Sequence, residues 1–223
     1  MSSAGLEGTP GQVMWIARHG YRADFEDPDW KRNADRPDDP PLSESGIAQA
    51  WELAERLRGE GIAHVFASPF IRAVQTASHV ARALDLPVCI EHGLTEWLKW
   101  DWFAPDGPHY LPMEEMKRRF PRVDPHYRSV WQPTYPEGDD EMIARVKLAA
   151  TLLARKHPQD ILLVGHAATV MGVCLGMVEP PVEGVTAPCC SITKLVRRGA
   201  GWQVELQGDR SHLSEPRGND RFS

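Results

Sequence analysis

Three segments of the 223-residue chain carry side chains that could meet an anion and act on it: Arg18-His19-Gly20-Tyr21-Arg22, Ser68 to Ala77 with Arg72 inside it, and Leu162 to His166. An Arg-His-Gly tripeptide arises by chance in on the order of one chain in a hundred at average residue usage, so alone it is a modest signal. A single histidine is commonly a surface group or a satisfied core group. A helical arginine commonly does no more than solvate its helix, and His166 alone reads as the cap of a strand end. Position raises all three. Each segment follows an apolar run, and Arg72 falls near the start of a helix, where free backbone N–H groups already favour an anion.

The elements that must position these residues follow from hydrophobic pattern. Val13 to Ala17 reads as a buried strand that delivers Arg18-His19, and residues 21–41 as a polar, proline-rich excursion of the length that functional loops have. Ser43 offers an N-cap for a helix through Arg58, whose apolar positions Ile47, Trp51, Leu53, Ala54 and Leu57 make one face. His64 to Ala67 reads as a second strand, Phe70 to Leu84 as a helix, and Val88 to Ile90 as a third strand. The aromatic and proline-rich stretch 91–136 breaks the pattern, with one short helix around 112–120. Asp139 to His157 is the longest amphipathic helix, Ile161 to Val164 a buried strand, and a helix follows through Leu175. Strands at Ile192 to Arg197 and Trp202 to Leu206 finish the pattern.

Strands alternating with helices predict an α/β fold, a three-layer α/β/α sandwich with a mostly parallel central sheet. The reading is one domain over residues 12–207, with a flexible N-terminal segment, 1–11, and a polar C-terminal tail, 208–223. In open α/β sheets ligands sit at the carboxyl ends of the strands, where the three segments would converge.

Composition narrows the function classes. The chain is 42% hydrophobic and 25% charged, and no run approaches the ~18 to 20 apolar residues of a membrane span. Met1 to Gly11 has neither a basic start nor an apolar stretch, which predicts a cytoplasmic protein. A net charge of -6 argues against nucleic-acid binding. It does not argue against a small anionic substrate, because a few converging arginines outweigh a distant acidic surface. The four cysteines and nine histidines show no ligand spacing, so neither a metal nor a cofactor is expected.

Six blocks in order resemble the histidine phosphatase superfamily, which includes the cofactor-dependent phosphoglycerate mutases, and among its branches the phosphatase domain of the TULA/Sts proteins. They are RHGYR at Arg18, DDPPLSESG at Asp38, VFASPFIRAVQTA at Val65, EHGLTEWLKW at Glu91, PEGDDEMIARV at Pro136 and LLVGHAAT at Leu162. The resemblance implies a phosphoglycerate mutase-like fold and a phosphomonoesterase that works without a metal. It implies His19 as the nucleophile that becomes phosphohistidine, and Arg18, Arg22 and Arg72 as the phosphate clamp, since guanidinium forks match phosphoryl oxygens. It implies His166 as the second histidine on the same phosphoryl group, and Glu96 as general acid and then base. A loop glutamate is usually just solvated; the EWLKW context lifts Glu96 above that reading.

Two departures bear on substrate. Tyr21 stands where the TULA/Sts relatives carry an acidic residue, which would alter how Arg22 or the substrate is held. Gly165 and Ala167-Ala168 stand where serine and glycines are common. The aromatic cluster Trp97, Trp100, Trp102, Phe103 and Tyr110 reads either as core packing or as an apolar wall for a leaving group. Tyr21, Trp97 and Trp100 are therefore candidate pocket residues. Lys117 to Arg119 read as a solvated helix face, with a second anion site the weaker alternative. The expected partner is a small phosphorylated substrate, an aryl phosphate or phosphotyrosine, or a phosphopeptide. Family analogy adds a homodimer. The alternatives are a phosphoglycerate mutase-type phosphotransferase and a weakly active interaction module.

Overall fold

The computed structural model describes residues 11–216. Its strands are β1 (Val13–Arg18), β2 (His64–Ala67), β3 (Val88–Ile90), β4 (Ile161–Gly165), β5 (Ile192–Arg198) and β6 (Gly201–Asp209). Its helices are α1 (Ala23–Glu26), α2 (Trp30–Asn33), α3 (Glu44–Leu57), α4 (Ile71–Leu84), α5 (Met113–Arg119), α6 (Asp139–Lys156) and α7 (Ala167–Gly176).

Alternation inside three short strands sets the layers, because successive side chains of a strand point to opposite faces. Trp15 and Ala17 of β1, Val65 and Ala67 of β2, and Leu162 and Val164 of β4 pack against Leu53, Leu57, Val74 and Ala77 of α3 and α4. Met14, Ile16, Phe66, Ile161 and Leu163 face the other way, onto Met142, Val146, Leu153, Val170 and Val173 of α6 and α7. Buried on both faces, β1 and β4 read as continuous apolar runs, as strands of a covered parallel sheet do. Leu53 has no exposed surface; truncating it to alanine would cost about 2–5 kcal/mol.

The strand order is β3-β2-β4-β1-β5-β6. The first four strands are parallel; β5 and β6 join antiparallel, so the sheet is mixed. Register positions the site. Arg18 pairs with Gly165, and Ala17 and Ala67 both pair with Val164. The ends of β1, β2 and β4 are therefore level, and the residues that follow them emerge side by side.

Local signals fix the flanking helices. Ser43 Oγ accepts the Gly46 N–H at 3.1 Å and starts α3. Asp139, Asp140 and Glu141 crowd the first turn of α6, where carboxylates suit the helix dipole. The expected apolar face of α3 needs correction: Ile47 and Trp51 lie outside, 37% and 43% exposed, and the buried face is Gly46, Gln49, Ala50, Leu53, Ala54 and Leu57. Trp51 instead stacks under Arg82, whose Cζ lies 3.8 Å from its ring. The expected loop 21–41 contains the single turns α1 and α2. The expected tail begins later than residue 208, because β6 runs to Asp209 and Leu213 packs into the core. The N-terminal segment 1–10 and the last residues, 217–223, lie outside the described residues.

Candidate active site

His19 leaves β1 with its main chain held on both sides: its N–H donates to Gly165 O at 2.9 Å, and its carbonyl accepts the Cys190 N–H at 3.0 Å. The next residue must be glycine, because a Cβ on Gly20 would lie 2.6 Å from Gly46 O. The Gly20 N–H donates to Thr76 Oγ1 on α4. The His19 ring has no exposed surface, and its Nδ1 lies 2.8 Å from Gly20 O. A carbonyl only accepts, so the proton sits on Nδ1 and Nε2 carries the lone pair. Nε2 is buried and has no hydrogen-bond partner among the described residues. Burial first, and then the charges of Arg72 and Arg18 and the neighbouring His166, hold the His19 pKa well below its usual value. The imidazole is thus neutral and its nucleophilic nitrogen free.

Arg72 enters from the first turn of α4, 2% exposed, with its Cζ 4.4 Å over the Phe70 ring. Its Nε and Nη1 make no hydrogen bond among the described residues. Its looser contacts are Nη1 to Asp39 Oδ1 at 3.9 Å and Nη2 to Glu96 Oε2 at 3.6 Å. Burial, then the charge of Arg22, pulls its pKa down to about 10, which leaves it a cation at neutral pH. Arg18 is 1% exposed and donates from Nη1 to Ala187 O at 2.5 Å. Arg22 is gripped by Asp24 through two bonds, Nε to Oδ1 at 2.8 Å and Nη2 to Oδ2 at 2.6 Å.

His166, at the end of β4, caps α7, and its ring meets that of His19 edge-on at 5.2 Å. Its Nδ1 lies 3.1 Å from Glu96 Oε2 and its Nε2 2.8 Å from Ser68 Oγ. The natural assignment has Nδ1–H donating to the carboxylate and the serine hydroxyl donating to Nε2. Burial pulls the His166 pKa down to about 4 against the attraction of Glu96, so it too is neutral at pH 7. Burial alone would raise the Glu96 pKa; contact with His166, the Arg72 charge and the Trp97 N–H together outweigh it and hold the carboxyl well below its usual range.

The structure thus brings together Arg18, His19, Arg22, Arg72, Glu96 and His166. Supporting residues that the sequence does not reveal include Asp39 and Ser68. Asp39, 2% exposed, accepts the Ile71 N–H at 2.8 Å and so starts α4 beside Arg72. Ser68 orients His166. Asp39 lies four residues before Ser43, the N-cap of α3, and only the fold shows that it starts a different helix.

A cavity of about 440 Å³ opens over Arg22, Arg72 and Glu96. Phe25, Trp102 and Phe103 form its apolar side, and Asp24, Asp38, Asp101 and Lys31 its charged rim. Of the candidate pocket residues, Tyr21, Trp97 and Trp100 do not line it. Tyr21 packs its ring on Phe25 at 5.3 Å, Trp97 meets Trp102 edge-on at 5.9 Å, and Trp100 is 75% exposed. Tyr21 and Trp97 thus pack against Phe25 and Trp102, which do line the cavity. His19, Glu96 and His166 each offer a donor atom within 4.8 Å of the others, a set that could hold a cation. Arg72 Nη2, 3.4 Å from His166 Nδ1 and 3.6 Å from Glu96 Oε2, makes the place hostile to one.

A neutral nucleophilic nitrogen, unspent guanidinium donors and a nearby carboxyl define a site for transferring an oxyanionic group. The chain belongs to the histidine phosphatase superfamily: the profile of its branch 1 matches residues 14–210. The "Transcription factor tau 55 kDa subunit" of Saccharomyces cerevisiae is 34% identical over 74% of this chain and 40% of its own. The "Ubiquitin-associated and SH3 domain-containing protein A" of Mus musculus is 33% identical over 72% of this chain and 27% of its own. The chain thus spans well under half the length of these two relatives. The ecdysone phosphate phosphatase of Bombix mori, solved in complex with tungstate, shares the fold with a TM-score of 0.73 at 23% identity, covering 93% of this chain and 97% of that one.

Proposed function

We propose that this chain is a phosphomonoesterase that works through a phosphohistidine on His19. The observation that carries the reading is His19 Nε2: buried, neutral and unpartnered, beside Arg72 donors that are also unpartnered. Arg18, Arg22 and Arg72 meet the phosphoryl oxygens. The Nε2 lone pair attacks phosphorus in line, the bond from phosphorus to the leaving oxygen breaks, and the Glu96 carboxyl gives that oxygen its proton. Water then attacks phosphorus while Glu96 takes a proton back. The P–N bond breaks, its electron pair returns to Nε2, and orthophosphate departs. Without substrate Glu96 is ionised; a bound phosphoryl dianion beside it offsets the Arg72 charge and favours the proton it must donate.

The aromatic side of the cavity, Phe25, Trp102 and Phe103, favours an aryl phosphate or phosphotyrosine, free or in a peptide. At its rim the carboxylates Asp38 and Asp101 outnumber the cation Lys31, which disfavours a leaving group that carries its own carboxylate, and so a phosphoglycerate. The test is hydrolysis of para-nitrophenyl phosphate with chelator present, comparing the parent protein with His19→Ala. We expect turnover that survives the chelator and falls at least about a thousandfold in the variant. Turnover that persists in His19→Ala would exclude the phosphohistidine route, and an inactive parent protein would remove the esterase reading.

No helix among the described residues is long and apolar enough to cross a membrane.

A further inference from the structure

We propose that Arg145, locked by Glu137, is the positioning residue for Glu96: it holds the segment that carries the carboxyl where a proton can reach the leaving oxygen. This rests on the phosphomonoesterase reading above. The Arg145 and Glu137 side chains, 4% and 5% exposed, are paired with each other and with the main chain.

Residues 95–99, which include Glu96, belong to no helix or strand, so no ladder of their own fixes them. Arg145 replaces that ladder. Its side chain projects from α6, 5% exposed, and every one of the five N–H groups of its guanidinium is placed. Nη1 donates to Gly93 O at 2.8 Å and Thr95 O at 3.1 Å, and Nη2 donates to Glu96 O at 3.3 Å. The two remaining donors grip the Glu137 carboxylate, Nε to Oε2 at 2.8 Å and Nη2 to Oε1 at 2.5 Å. Glu137 in turn takes the Leu98 N–H on Oε1 at 3.1 Å and gives its own N–H to Leu98 O at 3.0 Å. The pair thus clasps the segment before Glu96, at Glu96 and after it. The Trp97 N–H, at 3.0 Å, then fixes Glu96 Oε1.

Stability alone is a weak reason for such a pair. Taking two charges out of water is expensive, and a well-packed apolar pair of the same volume is often as stable or more so. What an apolar pair cannot supply is three donors aimed at the carbonyls of Gly93, Thr95 and Glu96. Lysine cannot supply them either, since its point charge lacks the planar fork. A displacement of about 1 Å at a reacting group costs on the order of a hundredfold in rate, which is the scale at which this clasp acts.

The prediction separates by leaving group, because a poor leaving oxygen needs its proton and a good one hardly does. The experiment measures kcat/KM, which reports transfer to His19, for para-nitrophenyl phosphate and for an alkyl phosphate. The proteins are the parent, Glu96→Gln, Arg145→Lys and the double variant Arg145→Met/Glu137→Leu. The double variant removes both charges, so neither is left buried alone, and thermal unfolding confirms that it folds. We expect Arg145→Lys and the double variant to lose about ten- to a hundredfold on the alkyl phosphate and less than about threefold on the nitrophenyl ester, in the same sense as Glu96→Gln. Equal losses on both substrates, or none in a folded double variant, would overturn the positioning role while leaving the phosphatase intact. A parent protein inactive on both esters would instead sink the reading on which the proposal rests.

Discussion

A Cβ on Gly165 would sit 2.1 Å from Thr169 Oγ1 and 2.9 Å from Thr169 Cβ, closer than real side chains come. That threonine oxygen accepts the His166 N–H at 3.1 Å, and its hydroxyl lies 3.3 Å from Leu94 O. It therefore ties the second histidine to the turn that leads to Glu96. A side chain at position 165 and the Thr169 hydroxyl would compete for one place, which is why glycine suits the end of β4 here. Gly165→Ser should destabilise the fold by about 1–3 kcal/mol through overpacking. Thr169→Gly should cost about 1–2 kcal/mol in lost hydrogen bonds and helix propensity. Combined, they should cost less than their sum by on the order of 1 kcal/mol, because the glycine makes room for the serine. Urea unfolding of the four proteins measures the coupling. Strict additivity would mean that the end of β4 relaxes without meeting Thr169.

At the scale of elements, α4 carries Arg72 into the site, and its start depends on a residue from far outside it. Asp39 Oδ1 accepts the Ile71 N–H, with Arg36 Nε 3.6 Å from Oδ2. Asp39→Ala should therefore cost about 1–2 kcal/mol of stability, the usual loss of a helix cap, and should raise KM for any phosphate ester as the first turn frays around Arg72. A thermal unfolding curve and a KM measured on one preparation check both; an unchanged KM would separate the cap from the clamp. This contact also shows what the chain reveals before folding. The strands, the main helices and the convergence of His19, Arg72 and His166 were legible because local pattern writes them: apolar runs of strand length, each ending in a polar residue. Asp39, Ser68 and Glu91 were not. Glu91 is fully buried and takes hydrogen bonds from Gly93 N–H, Tyr127 Oη, Ser129 Oγ and Val130 N–H, which fastens residues 127–130 beneath the Glu96 segment. Partners more than thirty residues apart leave no periodic trace. The apolar face of α3 was misread for a related reason: Ile47 and Trp51 have the composition of a core, but Trp51 is satisfied at the surface by Arg82 and His79. Likewise the aromatic cluster Trp97, Trp100, Trp102, Phe103 and Tyr110 reads equally as core packing or as an apolar wall, and only the fold shows that Trp102 and Phe103 line the cavity while Trp97 and Trp100 do not.

For the whole molecule, the cost of keeping two imidazoles neutral in a buried site should appear as acid sensitivity. In the unfolded chain a histidine titrates near 6.5; in the folded protein burial holds His166 neutral down to about 4, and His19 is shifted in the same direction. Between those limits the unfolded chain binds more protons than the folded one, so stability falls as pH falls. The loss begins below about pH 6.5 and, for His166, is complete near pH 4, amounting to on the order of 3 kcal/mol. Glu96, depressed well below the carboxylate range, adds stability whose loss starts only near the ordinary carboxylate pKa of about 4.5, so it does not contribute to the decline above about pH 5. General electrostatics acts in the opposite sense down to the isoelectric point near 5.8, since a chain with net charge -6 repels itself less as it is titrated toward neutrality. A fall in stability between about pH 6.5 and 5.8 must therefore come from specific groups. Replacing His166 with glutamine keeps polar contacts and removes the titration. Urea unfolding at several pH values should show a markedly shallower decline for His166→Gln than for the parent protein. Parallel curves would mean that His166 is already protonated in the folded state, and the neutral-histidine site described here would be wrong.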